Sequence, residues 1–133
     1  MIETQTAKKN ISSKPFVLII EDEQFLCGLL VKKLELSGFA VRGVFDGETG
    51  IKTMEEQRPD VILLDLLLPG IDGFEVLRRL KSDNRFSDIP VIIVSNLGEP
   101  ADIEKAKNSG AAEYIIKANY SPDQIAKKVW EFV

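Results

Sequence analysis

The chain has 133 residues, 44% of them hydrophobic, which supports one compact core and is short for several domains. A formal charge of −4 and a pI near 4.9 leave no basic patch for a nucleic-acid backbone, and the absence of histidine removes histidine triads, histidine metal sites and a phosphohistidine-donor role. No apolar stretch is long enough to span a bilayer, and the single cysteine, Cys27, permits no internal disulfide and fits a reduced, cytoplasmic setting.

Residues 1–14 are polar throughout and read as neither a signal peptide nor a membrane span. They are expected to be a disordered leader or an artificial extension, ahead of one domain over residues 15–133. Phe16 to Ile20 reads as a first strand. The helix after it carries Leu26, Leu30 and Leu34 on one stripe until Gly38 stops it, with Cys27 expected as a small buried hydrophobe. Phe39 to Phe45 is a less apolar run suited to a sheet edge. Asp46 is placed to cap a second helix with Ile51 and Met54 inward, and Pro59 marks the return to a third strand, Val61 to Leu64.

Beyond a loop through Pro69-Gly70, Asp72 and Glu75 have capping-box spacing, and Phe74, Leu77 and Leu80 form the stripe of a third helix. Pro90 opens a fourth strand, Val91 to Val94. The fourth helix, about Pro100 to Ser109, has mainly Ile103 and the alanines Ala101, Ala106 and Ala111 to bury, so it is expected to be the most weakly anchored element. Gly110 ends it, Tyr114 to Ile116 form a fifth strand, and Ser121-Pro-Asp-Gln124 begins the last helix with a capping box and proline at its first position.

Continuous apolar strands separated by helices indicate an α/β fold with a parallel sheet covered on both faces, whose ligand crevice lies beyond the carboxyl ends of the strands. Polar residues stand at four of those ends: Glu21 and Asp22 after the first strand, Asp65 after the third, Ser95 after the fourth and Lys117 after the fifth. Three carboxylates, a hydroxyl and an ammonium converging on one pocket make a cation site with a phosphate-binding partner set. Singly, each has a plainer use. An Glu-Asp pair suits a helix N-terminus, Ser95 a loop, and Lys117 and Tyr114 a packed or solvated surface.

The order Glu-Asp, then a lone aspartate followed by Pro-Gly-x-Asp-Gly, then Ser, then Lys resembles the receiver domain of two-component response regulators, over Phe16 to Val133. The approach Arg58-Pro-Asp-Val-Ile-Leu-Leu-Asp65 resembles that family as well. The resemblance implies a flavodoxin-like, doubly wound five-stranded sheet in the order 2-1-3-4-5, with two helices on one face and three on the other. It implies that Asp65 is the phosphoacceptor, and that Mg²⁺ is held by Glu21, Asp22, Asp65 and the backbone carbonyl of Leu67. Lys117 would pair with the acids and then with a phosphoryl oxygen, Ser95 would bond another phosphoryl oxygen, and Ser95 with Tyr114 would form the switch.

The implied partners are a sensor histidine kinase or phosphotransfer protein upstream and a protein reading the fourth helix, fifth strand and fifth helix downstream. No direct nucleic-acid or membrane contact is expected, and a homodimer is left open. The chain would be a switch with at most slow self-phosphorylation and self-dephosphorylation, standing alone or cut from a longer regulator. Glu21 replaces the family's commoner aspartate, Asn96 a smaller residue and Ala118 a proline, so a cis bond after Lys117 is not expected. Leu67 and Leu97 are expected to flank the approach of hydrolytic water and to lengthen the phosphorylated state. Two other readings stay open. One is a phosphorylation-independent interaction module. The other is a strand-end-aspartate phosphatase of the haloacid dehalogenase type, for which Leu67 occupies the place of a required second aspartate.

Overall fold

The computed structural model describes residues 14–133, so the expected leader lies outside the described residues apart from Lys14. Five strands, β1 (Phe16–Ile20), β2 (Ala40–Val44), β3 (Val61–Leu64), β4 (Val91–Ser95) and β5 (Glu113–Ile116), alternate with α1 (Gln24–Leu36), α2 (Gly47–Glu56), α3 (Gly73–Lys81), α4 (Pro100–Asn108) and α5 (Pro122–Trp130). All strand pairs are parallel and the order is β2-β1-β3-β4-β5. Among the described residues no helix is long and apolar enough to cross a membrane.

Alternation along the central strands divides the core in two. Leu18, Ile20, Ile62, Leu64, Val91 and Ile93 face α2, α3 and α4, whereas Val17, Ile19, Val61, Leu63, Ile92 and Val94 face α1 and α5. The three-and-two division of helices follows directly. Because β1, β3 and β4 are buried on both faces, their sequences are unbroken aliphatic runs. The edge strand β2 is only partly covered and accordingly carries Arg42 and Gly43.

Cys27 is buried between α1 and β2, where its Sγ would lie 2.5 Å from any Cβ added at Gly43. Burial, with a smaller contribution from the Glu21 charge, pushes its thiol up to about 11. Against an ordinary value of 9.0, that leaves about 100-fold less thiolate at pH 8. Iodoacetamide is therefore expected to label Cys27 at least about 100-fold more slowly than a free thiol until the protein unfolds. Mass spectrometry with and without denaturant measures the difference.

The helix ends follow their sequence signals with one correction. Asp46 and Asp72 accept from the backbone N–H groups of Thr49 and Glu75, and Ser121 with Gln124 forms a complete capping box. At α3 the box is only half made. The Glu75 carboxylate turns away to Arg78 and Arg79, whose hydrogen bonds hold it down to about 2.

Gly110 closes α4 in the left-handed region at φ 106°. The stripe of α3 is Gly73, Val76, Leu77 and Leu80, with Phe74 only half-buried at its flank. Each of the three fully buried aliphatics contributes about 1.5–3 kcal/mol by burial. On α4 only Ala106 is buried, Ile103 is half-buried, and Ala101, expected inward, is exposed.

Candidate functional site

β1 and β3 are neighbours, and the Asp65 N–H donates to the Ile20 carbonyl at 3.0 Å, which sets the two acidic strand ends side by side. β5 lies two strands away across β4, and the Lys117 side chain reaches back over the sheet end. Its Nζ sits 2.7 Å from Glu21 Oε1 and 2.8 Å from Asp65 Oδ2. Glu21 and Asp65 are 3% and 4% exposed, so this is a buried three-centre ion cluster open only at its mouth, where Asp22 is exposed. Each remaining oxygen of the buried pair is also engaged: Glu21 Oε2 accepts from Glu23 N–H at 2.9 Å, and Asp65 Oδ1 accepts from Leu67 N–H at 3.2 Å.

The charges respond to that burial. Desolvation raises Glu21 above its ordinary 4.5, opposed by its bonds from Lys117 and Glu23 and reinforced by the Asp65 charge. Burial pulls Lys117 down, but the bonds to Asp65 and Glu21 outweigh it and the net movement from 10.5 is upward. Lys117 is thus a firm ammonium, while Glu21 takes up a proton at a higher pH than an exposed glutamate would.

Glu21, Asp22 and Asp65 each present one carboxylate oxygen within 4.8 Å of the others. Three hard oxygen donors of this kind fit Mg²⁺, which requires few direct protein ligands. The Leu67 peptide is fixed against Asp65 through its N–H. Ser95, fully buried, lies at the end of the adjacent strand β4, and its Oγ accepts from Leu97 N–H at 3.3 Å. Tyr114 is half-buried, and its hydroxyl donates to the Leu97 carbonyl. Ser95 and Tyr114 are therefore joined through the two sides of one residue, a bridge the sequence does not reveal. Burial, then the Asp102 and Asp65 charges, raise the Tyr114 phenol above its ordinary 10.0.

The two leucines part company. Leu67 is 55% exposed at the mouth of the pocket, as expected for a residue flanking solvent approach. Leu97 instead is half-buried and packs on the core beneath α3 and α4, because its backbone is tied on both sides to Ser95 and Tyr114. Asn96 is exposed, and no cis peptide occurs among the described residues, Lys117–Ala118 included. Gly73 was legible as part of a cap and as the end of the Pro-Gly-x-Asp-Gly run, but not for its close packing. Its backbone approaches so closely that an added Cβ would lie 2.3 Å from the Asp65 carbonyl oxygen and 2.6 Å from Leu66 Cα.

A model of the response regulator receiver domain matches residues 17–129. The chain is 40% identical over 103 residues to the DNA-binding dual master transcriptional regulator RpaA of Synechocystis sp., covering 77% of this chain and 43% of that protein. It is likewise 40% identical over 103 residues to the transcriptional regulatory protein AfsQ1 of Streptomyces coelicolor, covering 77% and 44%. The chain thus spans less than half the length of these curated relatives. Among solved structures, the phosphorylated cyanobacterial phytochrome response regulator RcpA superposes with a TM-score of 0.79 at 30% identity, covering 91% of this chain and 94% of that one. With the doubly wound sheet and the acid–lysine cluster at its strand ends, these matches place the chain in the family of response regulator receiver domains, the phosphorylatable switches of two-component signalling.

Proposed function

We propose that Asp65 accepts a phosphoryl group from a histidine kinase or phosphotransfer protein and that this chain passes the resulting state to a protein partner through α4, β5 and α5. The observation that carries the reading is Lys117, one ammonium held at once by the buried Asp65 and Glu21 beside an exposed Asp22. Bringing a phosphoryl group to a carboxylate gathers negative charge, and a preorganised cation offsets it. In the transfer, the donor's bond to phosphorus breaks as a bond from an Asp65 oxygen forms. Lys117 can pass from Asp65 Oδ2 to a phosphoryl oxygen. Ser95 Oγ already accepts from Leu97, which leaves its own proton to donate. Glu21, Asp22, Asp65 and the Leu67 carbonyl would hold Mg²⁺, which supplies further neutralising charge. The setting proposed is cytoplasmic.

Incubation with a small phosphodonor and Mg²⁺ followed by intact-mass measurement tests the proposal. One phosphoryl addition per chain is expected. No addition would support an interaction module, and catalytic turnover of the donor without a stable adduct would support a phosphatase.

Mg²⁺ is expected to bind weakly, with Asp22→Ala lowering its affinity at least about tenfold and Glu21→Gln changing it less. Both Glu21 oxygens already have partners, whereas Asp22 is exposed at the mouth and bonds no side chain among the described residues. NMR titration of the amides around Asp65 measures both constants, and equal affinity in wild type and Asp22→Ala overturns the ligand assignment.

Of the two leucines only Leu67 stands at the mouth of the pocket, since Leu97 packs half-buried against the core. An exposed aliphatic at the mouth cannot align water by hydrogen bonding. Leu67→Asn is expected to speed self-dephosphorylation about tenfold, the equivalent of about 1.4 kcal/mol in the transition state. Phosphate release from purified phosphoprotein in Mg²⁺ gives the rate.

A further inference from the structure

With one buried residue, α4 depends on few contacts for its position, and one of them is not aliphatic. Lys105 Nζ stands 4.1 Å from the centre of the Phe74 ring, well inside the range of roughly 6 Å over which an ammonium is drawn to an aromatic face. Phe74 is the second residue of α3, half-buried against the core. The residue before it, Gly73, rests on the Asp65–Leu66 peptide with no room for a Cβ, and its N–H donates to the Leu66 carbonyl at 2.9 Å. Leu67 N–H in turn holds Asp65 Oδ1. An unbroken run of direct contacts therefore leads from the Asp65 carboxylate through its own backbone to the first turn of α3 and on to α4.

We propose that Lys105 and Phe74 form a clasp through which the state of Asp65 sets the position of α4, by a route separate from Ser95, Leu97 and Tyr114. The proposal rests on Asp65 being the phosphoacceptor. When either Asp65 oxygen becomes bonded to phosphorus, the Leu67 N–H faces an acyl-phosphate oxygen in place of a carboxylate, a weaker acceptor, and the Leu66–Asp72 loop shifts with that bond. Gly73 has no slack with which to absorb that shift, because close-packed backbone transmits displacement rather than compressing. The ring of Phe74 moves with its helix, and the ammonium of Lys105 follows the ring or lets it go.

Amide hydrogen exchange in α4 tests the clasp in the full chain, free and with beryllofluoride and Mg²⁺ as the phosphoryl mimic. Lys105→Met keeps the apolar stem without the charge, Phe74→Leu keeps the burial without the ring, and Lys105→Arg keeps a cation over it. In the free protein, the first two variants are expected to exchange about two- to fivefold faster than wild type over residues 103–108, with Lys105→Arg matching wild type. The double variant should be no faster than either single.

Beryllofluoride should alter α4 exchange in wild type, and that change should fall by at least half in Lys105→Met. Wild-type exchange in free Lys105→Met, or additive effects in the double variant, overturns the clasp. A wild-type α4 that ignores beryllofluoride seen by NMR at Asp65 overturns the coupling. Failure of beryllofluoride to bind wild type at all overturns the phosphoacceptor reading and the switching role with it, and is told apart by the absence of any shift at Asp65.

Discussion

Asp65→Asn is expected to accept no phosphoryl group from any donor and to melt above the wild type. The first outcome follows from chemistry, since a neutral amide is not the nucleophile the transfer requires. The second follows from charge. In the wild type a single ammonium serves two carboxylates that are almost fully buried, with Asp22 close by. Removing one negative charge leaves Lys117 and Glu21 as a balanced pair, and an amide oxygen can still accept from Leu67 N–H. A gain of about 1 kcal/mol is expected, or a Tm rise of about 3–5 °C for a domain of this size. Intact mass after treatment with phosphodonor and Mg²⁺ checks the first part, and calorimetry without Mg²⁺ the second. An adduct on the asparagine variant would remove Asp65 from the mechanism.

Lys117→Met should cost considerably more than Asp65→Asn gains. The methionine fills the stem's volume but strands two desolvated carboxylates, and removing one partner from a buried ion cluster costs about 3 kcal/mol or more at neutral pH. The pH dependence has a definite sign. Lys117 is raised in the folded state, so its stabilisation is complete below the ordinary 10.5 and is lost only as pH climbs through the raised value.

Glu21 is raised too, so its charged form is a cost at neutral pH that is lifted as pH falls through its raised value toward 4.5. Without Lys117 that value rises further. The gap between variant and wild type should therefore be constant across neutral pH and narrow on acidification toward 4.5. Urea unfolding at several pH values reads it, and a gap that widens in acid would contradict the buried-pair account. Phosphorylation of the variant should be lost alongside stability.

The sheet and its site were legible for one physical reason. A strand buried on both faces must be aliphatic from end to end, so the first polar residue of β1, β3 and β4, whether Glu21, Asp65 or Ser95, marks where the strand meets the crevice. Directions of side chains near that boundary were not legible. Leu97 looks in sequence like a partner of Leu67, and only the paired bonds of its peptide to Ser95 and Tyr114 turn it into the core. The stripe on α3 was misjudged because its first member is a glycine. An apolar count therefore began at Phe74, which lies to one side and meets Lys105. The two bonds of Glu21, to Lys117 and Glu23, come from residues 96 and 2 positions away, and only the nearer could be guessed from spacing.

The sequence's single tryptophan stands far from all of this. Trp130 ends α5, its ring 4.3 Å from that of Phe39 and its Nε1 donating to the Ser37 carbonyl at 3.1 Å, so it pins the last turn of α5 to the turn between α1 and β2. That places the indole at the amino ends of the strands, opposite the carboxylates. Its emission is consequently an optical probe of whether the last turn of α5 is docked and the domain folded. Unfolding can thus be followed through this one indole with no label added, separately from the phosphorylation readout at Asp65.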